Sequence, residues 1–332
     1  MHLTEIPPRH RRRRAARDAR IVTTVIIAVV VVIALIWWGV GAIMRQPGPI
    51  THPAAANPAR TTDVASTTSG STTLDSVRLN SSNAMLVSLD APTTPLLELN
   101  ADQRIYPASL TKIMTALVVL DWVDDLQAMV TVPASALRQV ADLELSTAGF
   151  VAGETVPIED LLYGLLLPSG GECALTLAQW VAGDEDSFAG LMNTKAAELG
   201  MTGSHFVNTT GSHDPDHYST IHDLIRLLET ALNNSAFFTV FTSHSHTTTA
   251  TDDHPDGLTV VSTIFRHTDG VYPDFTLLGA KTGHTEHSGQ CLASLAEKNG
   301  RRYVLVTAGA DTIDNLTDLK HLADAVTVYS AV

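Results

Sequence analysis

The chain has 332 residues, 45% of them hydrophobic, and a formal net charge of −14. That length suits one large domain or two intimately joined lobes. Residues 1–45 hold eight arginines against Glu5 and Asp18, so the remainder carries 13 basic and 33 acidic residues, which argues against nucleic acid as a partner.

Seven arginines between Arg9 and Arg20 precede an apolar, charge-free run from Ile21 to Met44. Its 24 residues would cover roughly 36 Å as a helix, enough to cross a bilayer of about 30 Å. Trp37 and Trp38 lie inside the run and Arg45-Gln-Pro follows it, unlike a signal peptide with a short apolar core and a small-residue cleavage site. The pattern predicts a cytoplasmic basic tail over 1–20, an uncleaved single-pass transmembrane anchor over 21–44, and an extracytoplasmic remainder. Residues 45–82, rich in Pro, Ala, Thr and Ser, read as a flexible linker with a reach on the order of 35 Å.

Order is expected from about Ala84. Strands are predicted over 84–89 and 96–99, joined by a Pro-containing turn, followed by a helix from Ser109 to about Trp122 with Ile113, Ala116, Leu117 and Leu120 on its buried stripe. Further helices are predicted over 158–167, 174–181, 186–199 and 220–233. Strand character returns over 259–265, 277–282, 290–295 and 303–308, and the last 18 residues read as a helix. Strands at both ends with helices between them predict one antiparallel sheet carrying an inserted helical lobe, an α+β arrangement.

Three short stretches carry chemistry. In Ser109-Leu-Thr-Lys112 a serine and a lysine stand one helical turn apart. A lysine does not suit a capping box and opposes the helix dipole, but dipole and burial both lower its pKa and leave a neutral amine beside the hydroxyl. Ser169-Gly-Gly171 offers a second serine as proton relay. Lys281-Thr-Gly283 ends a predicted strand and offers a charge, a hydroxyl and a glycine that leaves room along the strand edge. Only five lysines occur among 21 basic residues, and two of them fall in these motifs. The set points to acyl transfer through a serine ester.

No cofactor and no metal are expected, because the 14 histidines show no HExxH or comparable spacing. Cys173 and Cys291 could form a disulfide outside the membrane or remain buried free thiols.

The wider sequence resembles the penicillin-recognising serine D-alanyl-D-alanine carboxypeptidases, the low-molecular-mass penicillin-binding proteins of peptidase family S11, over roughly residues 83–332. Tyr106-Pro-Ala-Ser-Leu-Thr-Lys-Ile-Met-Thr115 resembles the nucleophile helix, and Asp160-Leu-Leu-Tyr-Gly-Leu-Leu-Leu-Pro-Ser169 the second element. Leu191-Met-Asn193, His205-Phe-Val-Asn208, Asp216-His-Tyr-Ser-Thr220 and Lys281-Thr-Gly-His-Thr285 are similar to further family stretches.

The resemblance implies a β-lactamase/transpeptidase-like fold, an antiparallel five-stranded sheet flanked by helices with an inserted all-helical lobe. It implies Ser109 as nucleophile attacking the penultimate D-alanine carbonyl of a peptidoglycan stem pentapeptide, Lys112 as base and Ser169 as relay. Lys281 and Thr282 would hold the terminal carboxylate beside Gly283, and the Ser109 and His284 N–H groups would form the oxyanion hole. β-Lactam antibiotics would bind the same site. The chain departs from the pattern at Gly171, where the family usually has a substrate-binding asparagine followed by an acid, here Glu172. Two other outcomes belong with this resemblance. A β-lactamase-like hydrolase would need an acid on a Glu-x-x-x-Asn loop, and no such loop is read between Cys173 and Lys281. A catalytically weak wall-binding scaffold of the same fold would be consistent with Gly171 but not with intact Ser109 and Lys112.

Overall fold

The computed structural model describes residue 74 and residues 77–92, 94–311 and 318–332. The expected basic tail, the expected anchor and most of the expected linker lie outside the described residues. No helix among the described residues is long and apolar enough to cross a membrane.

The body is built on a five-stranded antiparallel sheet. Its strands are β1 (Asn83–Ser88), β2 (Leu97–Leu99), β7 (Thr276–Thr285), β8 (Gly289–Lys298) and β9 (Arg301–Ala310), in the order β2-β1-β9-β8-β7. The central strands are apolar at successive positions because both sheet faces are covered. In β1, Met85 and Val87 enter one core and Leu86 the other; in β9, Val304 and Val306 oppose Tyr303 and Leu305 in the same way. Helix α8 (Lys320–Ala331) covers the second face with Val328 and Tyr329, and Lys298 Nζ donates to the Tyr329 and Ser330 carbonyls at its C-terminal end.

Between β2 and β7 lies the expected helical lobe. It comprises α1 (Thr111–Trp122), α2 (Ala134–Asp142), α3 (Ile158–Leu166), α4 (Gly171–Ala182), α5 (Glu185–Glu198), α6 (Ile221–Leu232) and α7 (Ser235–Phe241). The lobe is not wholly helical. Two small sheets pair β3 (Met129–Thr131) with β4 (Thr155–Pro157), and β5 (Ser245–Thr247) with β6 (Thr259–Val261). The strand predicted over 259–265 shrinks to β6 and does not join the main sheet.

Helix α1 packs against α3, α4, α5, α6 and α7. The stripe expected on one side widens into burial of every residue from Thr111 to Val119, while Leu120 is half-buried. The body also begins earlier than the expected boundary at 83. Leu74 packs in the second core, and the Asp324 carboxylate accepts hydrogen bonds from Asn80 N and Nδ2 and from Ser81 N and Oγ at 2.6–2.8 Å.

Candidate functional site

Ser109 sits in a single 3-10 turn, Ala108–Leu110, that leads straight into α1. Two glycines allow the neighbouring chain to close on that turn. Gly211, at φ +81°, lies so near that a Cβ would overlap the Ala108 carbonyl. A Cβ on Gly283 would stand 3.1 Å from Ala108 Cβ, Pro107 O and Ser109 N. The glycine of Lys281-Thr-Gly283 therefore also makes room for the Ala108–Leu110 turn. The motif lies within β7, two residues short of its end, on the edge strand of the sheet.

Lys112 projects from the first turn of α1 and is 2% exposed. Its Nζ donates to Ser109 Oγ at 3.1 Å and to the Thr210 carbonyl at 2.7 Å. Burial lowers its pKa to about 8, against an opposing pull from the carboxylates of Glu172 and Glu185. Lys281 is fully buried, and Nζ donates to the Thr282 carbonyl at 2.8 Å. Desolvation, then the nearby Lys112 charge, hold its pKa well below the ordinary value. The Thr282 hydroxyl lies 2.8 Å from that of Thr263.

Ser169 adopts φ +71°, uncommon for a residue with a side chain, and its buried Oγ has no hydrogen-bond partner in the structure. It is not hydrogen-bonded to Lys112, so the expected relay contact is not preformed. Ser109, Ser169, Thr282, Gly283 and His284 share one cleft of about 410 Å³. Gly171 is absent from its lining. It starts α4 instead, and a Cβ there would stand 3.0 Å from Val140 and 3.1 Å from Leu145, in an apolar pocket behind the wall. Its expected place as a substrate-facing position is corrected accordingly.

The wall opposite β7 is the 144–149 loop, from which Glu144 and Ser146 reach the cleft. Gly171 N donates to Ser146 O at 2.7 Å, and Glu172 Oε1 accepts from Ala148 N at 2.6 Å and Gly149 N at 2.9 Å. Burial raises the Glu172 pKa. This carboxylate makes no hydrogen bond to Lys112; its effect on the lysine is one of charge.

The cleft also gathers Arg266, His267, Gln290 and His321, none of which the sequence singled out. Arg266 had left a faint signal, being one of only two arginines between residues 139 and 300. His321 had none, because it joins the site only through the packing of α8. Several other described histidines serve local contacts. His217 bonds Thr111 Oγ1 at 2.8 Å, His213 stacks on His287 against Tyr106, and His246 pairs with Asp160. Among the described residues no group of three or more metal-ligating side chains occurs. Both cysteines are buried free thiols. The Glu-x-x-x-Asn spacing does occur once after Cys173, at Glu229–Asn233, but it ends α6 and lines a separate hollow with Leu89 and Arg302.

Comparison with known proteins places the chain in a family. The family model of D-alanyl-D-alanine carboxypeptidase, peptidase S11, matches residues 65–312. The chain is 33% identical over 212 residues to a D-alanyl-D-alanine carboxypeptidase of Streptomyces sp. strain K15, covering 61% of this chain and 72% of that one. It is 27% identical over 213 residues to the carboxypeptidase DacF of Bacillus subtilis, covering 64% and 53%. The crystal structure of the Streptomyces K15 DD-transpeptidase superposes with a TM-score of 0.69 at 28% identity, over 77% of this chain and 97% of that one. The D-alanyl-D-alanine carboxypeptidase of Mycobacterium tuberculosis H37Rv gives 0.66 at 26% identity, over 77% and 91%. The chain belongs to the D-alanyl-D-alanine carboxypeptidase family of serine peptidases. It spans about half the length of the Bacillus relative.

Proposed function

We propose that the protein is a serine D,D-carboxypeptidase that removes the terminal D-alanine of peptidoglycan stem pentapeptides through an acyl-enzyme on Ser109. One observation carries the reading: a buried lysine with its pKa lowered to about 8 stands 3.1 Å from a serine hydroxyl that opens into a cleft. A neutral amine there can take the hydroxyl proton as the oxygen attacks the carbonyl. Ser169, whose Oγ is free to accept a partner, passes the proton on to the leaving amine. Lys281, Thr282 and Arg266 take the carboxylate, and the Ser109 and His284 N–H groups hold the oxyanion. Water then hydrolyses the ester. β-Lactams acylate the same serine.

In this reading the catalytic domain covers residues 83–332 together with the packed residues just before it, and works outside the cell membrane. Residues 21–44 anchor it and residues 45–82 tether it, on the strength of the arginine-flanked apolar run. Labelled penicillin and a synthetic pentapeptide test the function together. Stable label with release of D-alanine is expected, rapid loss of label would favour a β-lactamase, and absence of label would favour a scaffold. Protease applied to spheroplasts should free an active fragment cut within 45–82. Mature protein already lacking residues 1–44 would show a cleaved signal instead.

A further inference from the structure

Lys112 has three groups to satisfy, and the structure shows what fixes its direction. A neutral amine has two N–H groups and one lone pair. If one N–H is committed to a rigid carbonyl, the lone pair is steered toward the serine proton. The committed acceptor is Thr210 O, in a turn whose backbone Asn208 ties together: its Oδ1 accepts from Gly211 N at 2.8 Å and its Nδ2 donates to Ser212 O at 3.0 Å. That turn is in turn gripped from α5. Asp184 caps the helix by accepting from Ser187 N at 2.7 Å, which places Glu185 at its first position. Glu185 Oε1 accepts from both Thr209 N at 2.9 Å and Thr209 Oγ1 at 2.7 Å, and its Oε2 accepts from Gln139 Nε2 of α2 at 2.7 Å. Thr209 O receives the Thr115 hydroxyl of α1 at 2.8 Å, so the turn is held from the helix that carries Lys112 as well.

We propose that Glu185 is a positioning residue for the catalytic lysine: it holds Thr209 by two hydrogen bonds and so aims the Thr210 carbonyl at Lys112 Nζ. It is not hydrogen-bonded to Ser109 and does not line the cleft. Its charge also acts on Lys112 in the direction that keeps the lysine protonated. Position and charge are therefore separable. Glu185→Gln keeps an oxygen for Thr209 and removes the charge, and Gln139 can turn its amide to meet the new N–H. Glu185→Ala removes both.

The inference rests on Ser109 being the nucleophile, and the experiment separates the two. Acylation by benzylpenicillin is followed across pH for the full chain, alongside thermal unfolding. If the unsubstituted protein takes no label, the functional reading fails. If it labels, Glu185→Ala should acylate about tenfold more slowly with the penicillin dissociation constant changed less than about twofold, as expected for lost orientation rather than lost binding. Glu185→Gln should keep the rate within about threefold and shift the rising limb to lower pH, because removal of a nearby negative charge lowers the lysine pKa. Should Glu185→Ala not fold, Thr209→Val, which removes one of the two hydrogen bonds and keeps the charge, should slow acylation with the limb unshifted. A Glu185→Ala protein matching the parent in rate and pH profile would overturn the inference. So would a Glu185→Gln protein as impaired as the alanine variant, with the loss tracking thermal stability alone.

Discussion

Lys112 and Lys281 are both buried, and each donates to one backbone carbonyl, Thr210 at 2.7 Å and Thr282 at 2.8 Å. Burial first, and the Lys112 charge second, depress Lys281. The lowered pKa of Lys112 itself predicts a pH dependence. In the proposed mechanism the base works when neutral, so the acylation rate should rise as pH climbs through about 8, the lowered pKa of Lys112. Because an unfolded lysine keeps its proton to about pH 10.4, the unfolded chain binds more protons above the folded pKa, and stability from this group also rises from about pH 8 upward. Stopped-flow acylation between pH 6 and 9 checks the first point; a flat profile would contradict the role of Lys112.

The proposed nucleophile and its proposed base should fail differently. Ser109→Ala leaves no oxygen to acylate and should abolish penicillin labelling. Lys112→Ala keeps the hydroxyl but removes general-base assistance, which contributes about 10²–10⁴-fold, so labelling should survive only at long times and high concentration. Mass spectrometry of the intact protein distinguishes the two.

Gly171→Asn tests the corrected placement of that residue. An amide there would press on Val140 and Leu145 rather than reach the cleft. Overpacking of this kind costs about 1–3 kcal/mol. Thermal unfolding should drop by several degrees, and acylation should not increase. A faster-labelling Gly171→Asn protein would return position 171 to the substrate.

Asp324→Ala should destabilise the body by about 2–4 kcal/mol, since four groups of Asn80 and Ser81 lose an ionised acceptor at once. Hydrogen exchange at Asn80 and Ser81 should become fast while the cleft stays protected. Unchanged protection there would show that the clasp is not what holds the segment.

The sequence was most readable where chemistry and periodicity coincide. Ser109 and Lys112 are close in sequence and therefore close in space on any helix, and β7 to β9 are long enough to declare themselves. Helix α2 escaped because only Ala136 and Val140 of its residues are buried, too few to set a period, and α7 because Asn233-Asn-Ser235 has the composition of a helix stop while Asn234 caps a new helix. The burial of α1 on all sides follows from the lobe folding around it, which no local pattern encodes. Gly171 misled for a related reason. Its meaning depends on Val140 and Leu145, some thirty residues away. Arg266 and His321 meet in the cleft from opposite ends of β7–β9 and share no local signal.

The pairing of β1 with β9 joins positions about 220 residues apart, such as Met85 and Val306. A chain made from its N-terminus produces β1 and β2 early and must then wait for the whole inserted lobe before β9 arrives. Through that interval Met85, Leu86 and Val87 present an unpaired edge, the kind of surface that recruits foreign strands. The β7–β8–β9 meander is local in sequence, so the slow event is the capture of the waiting hairpin, whose closure spans the whole inserted lobe. The assembly of the sheet is thus governed by the first of the described strands finding the last, and refolding yield should fall as protein concentration rises.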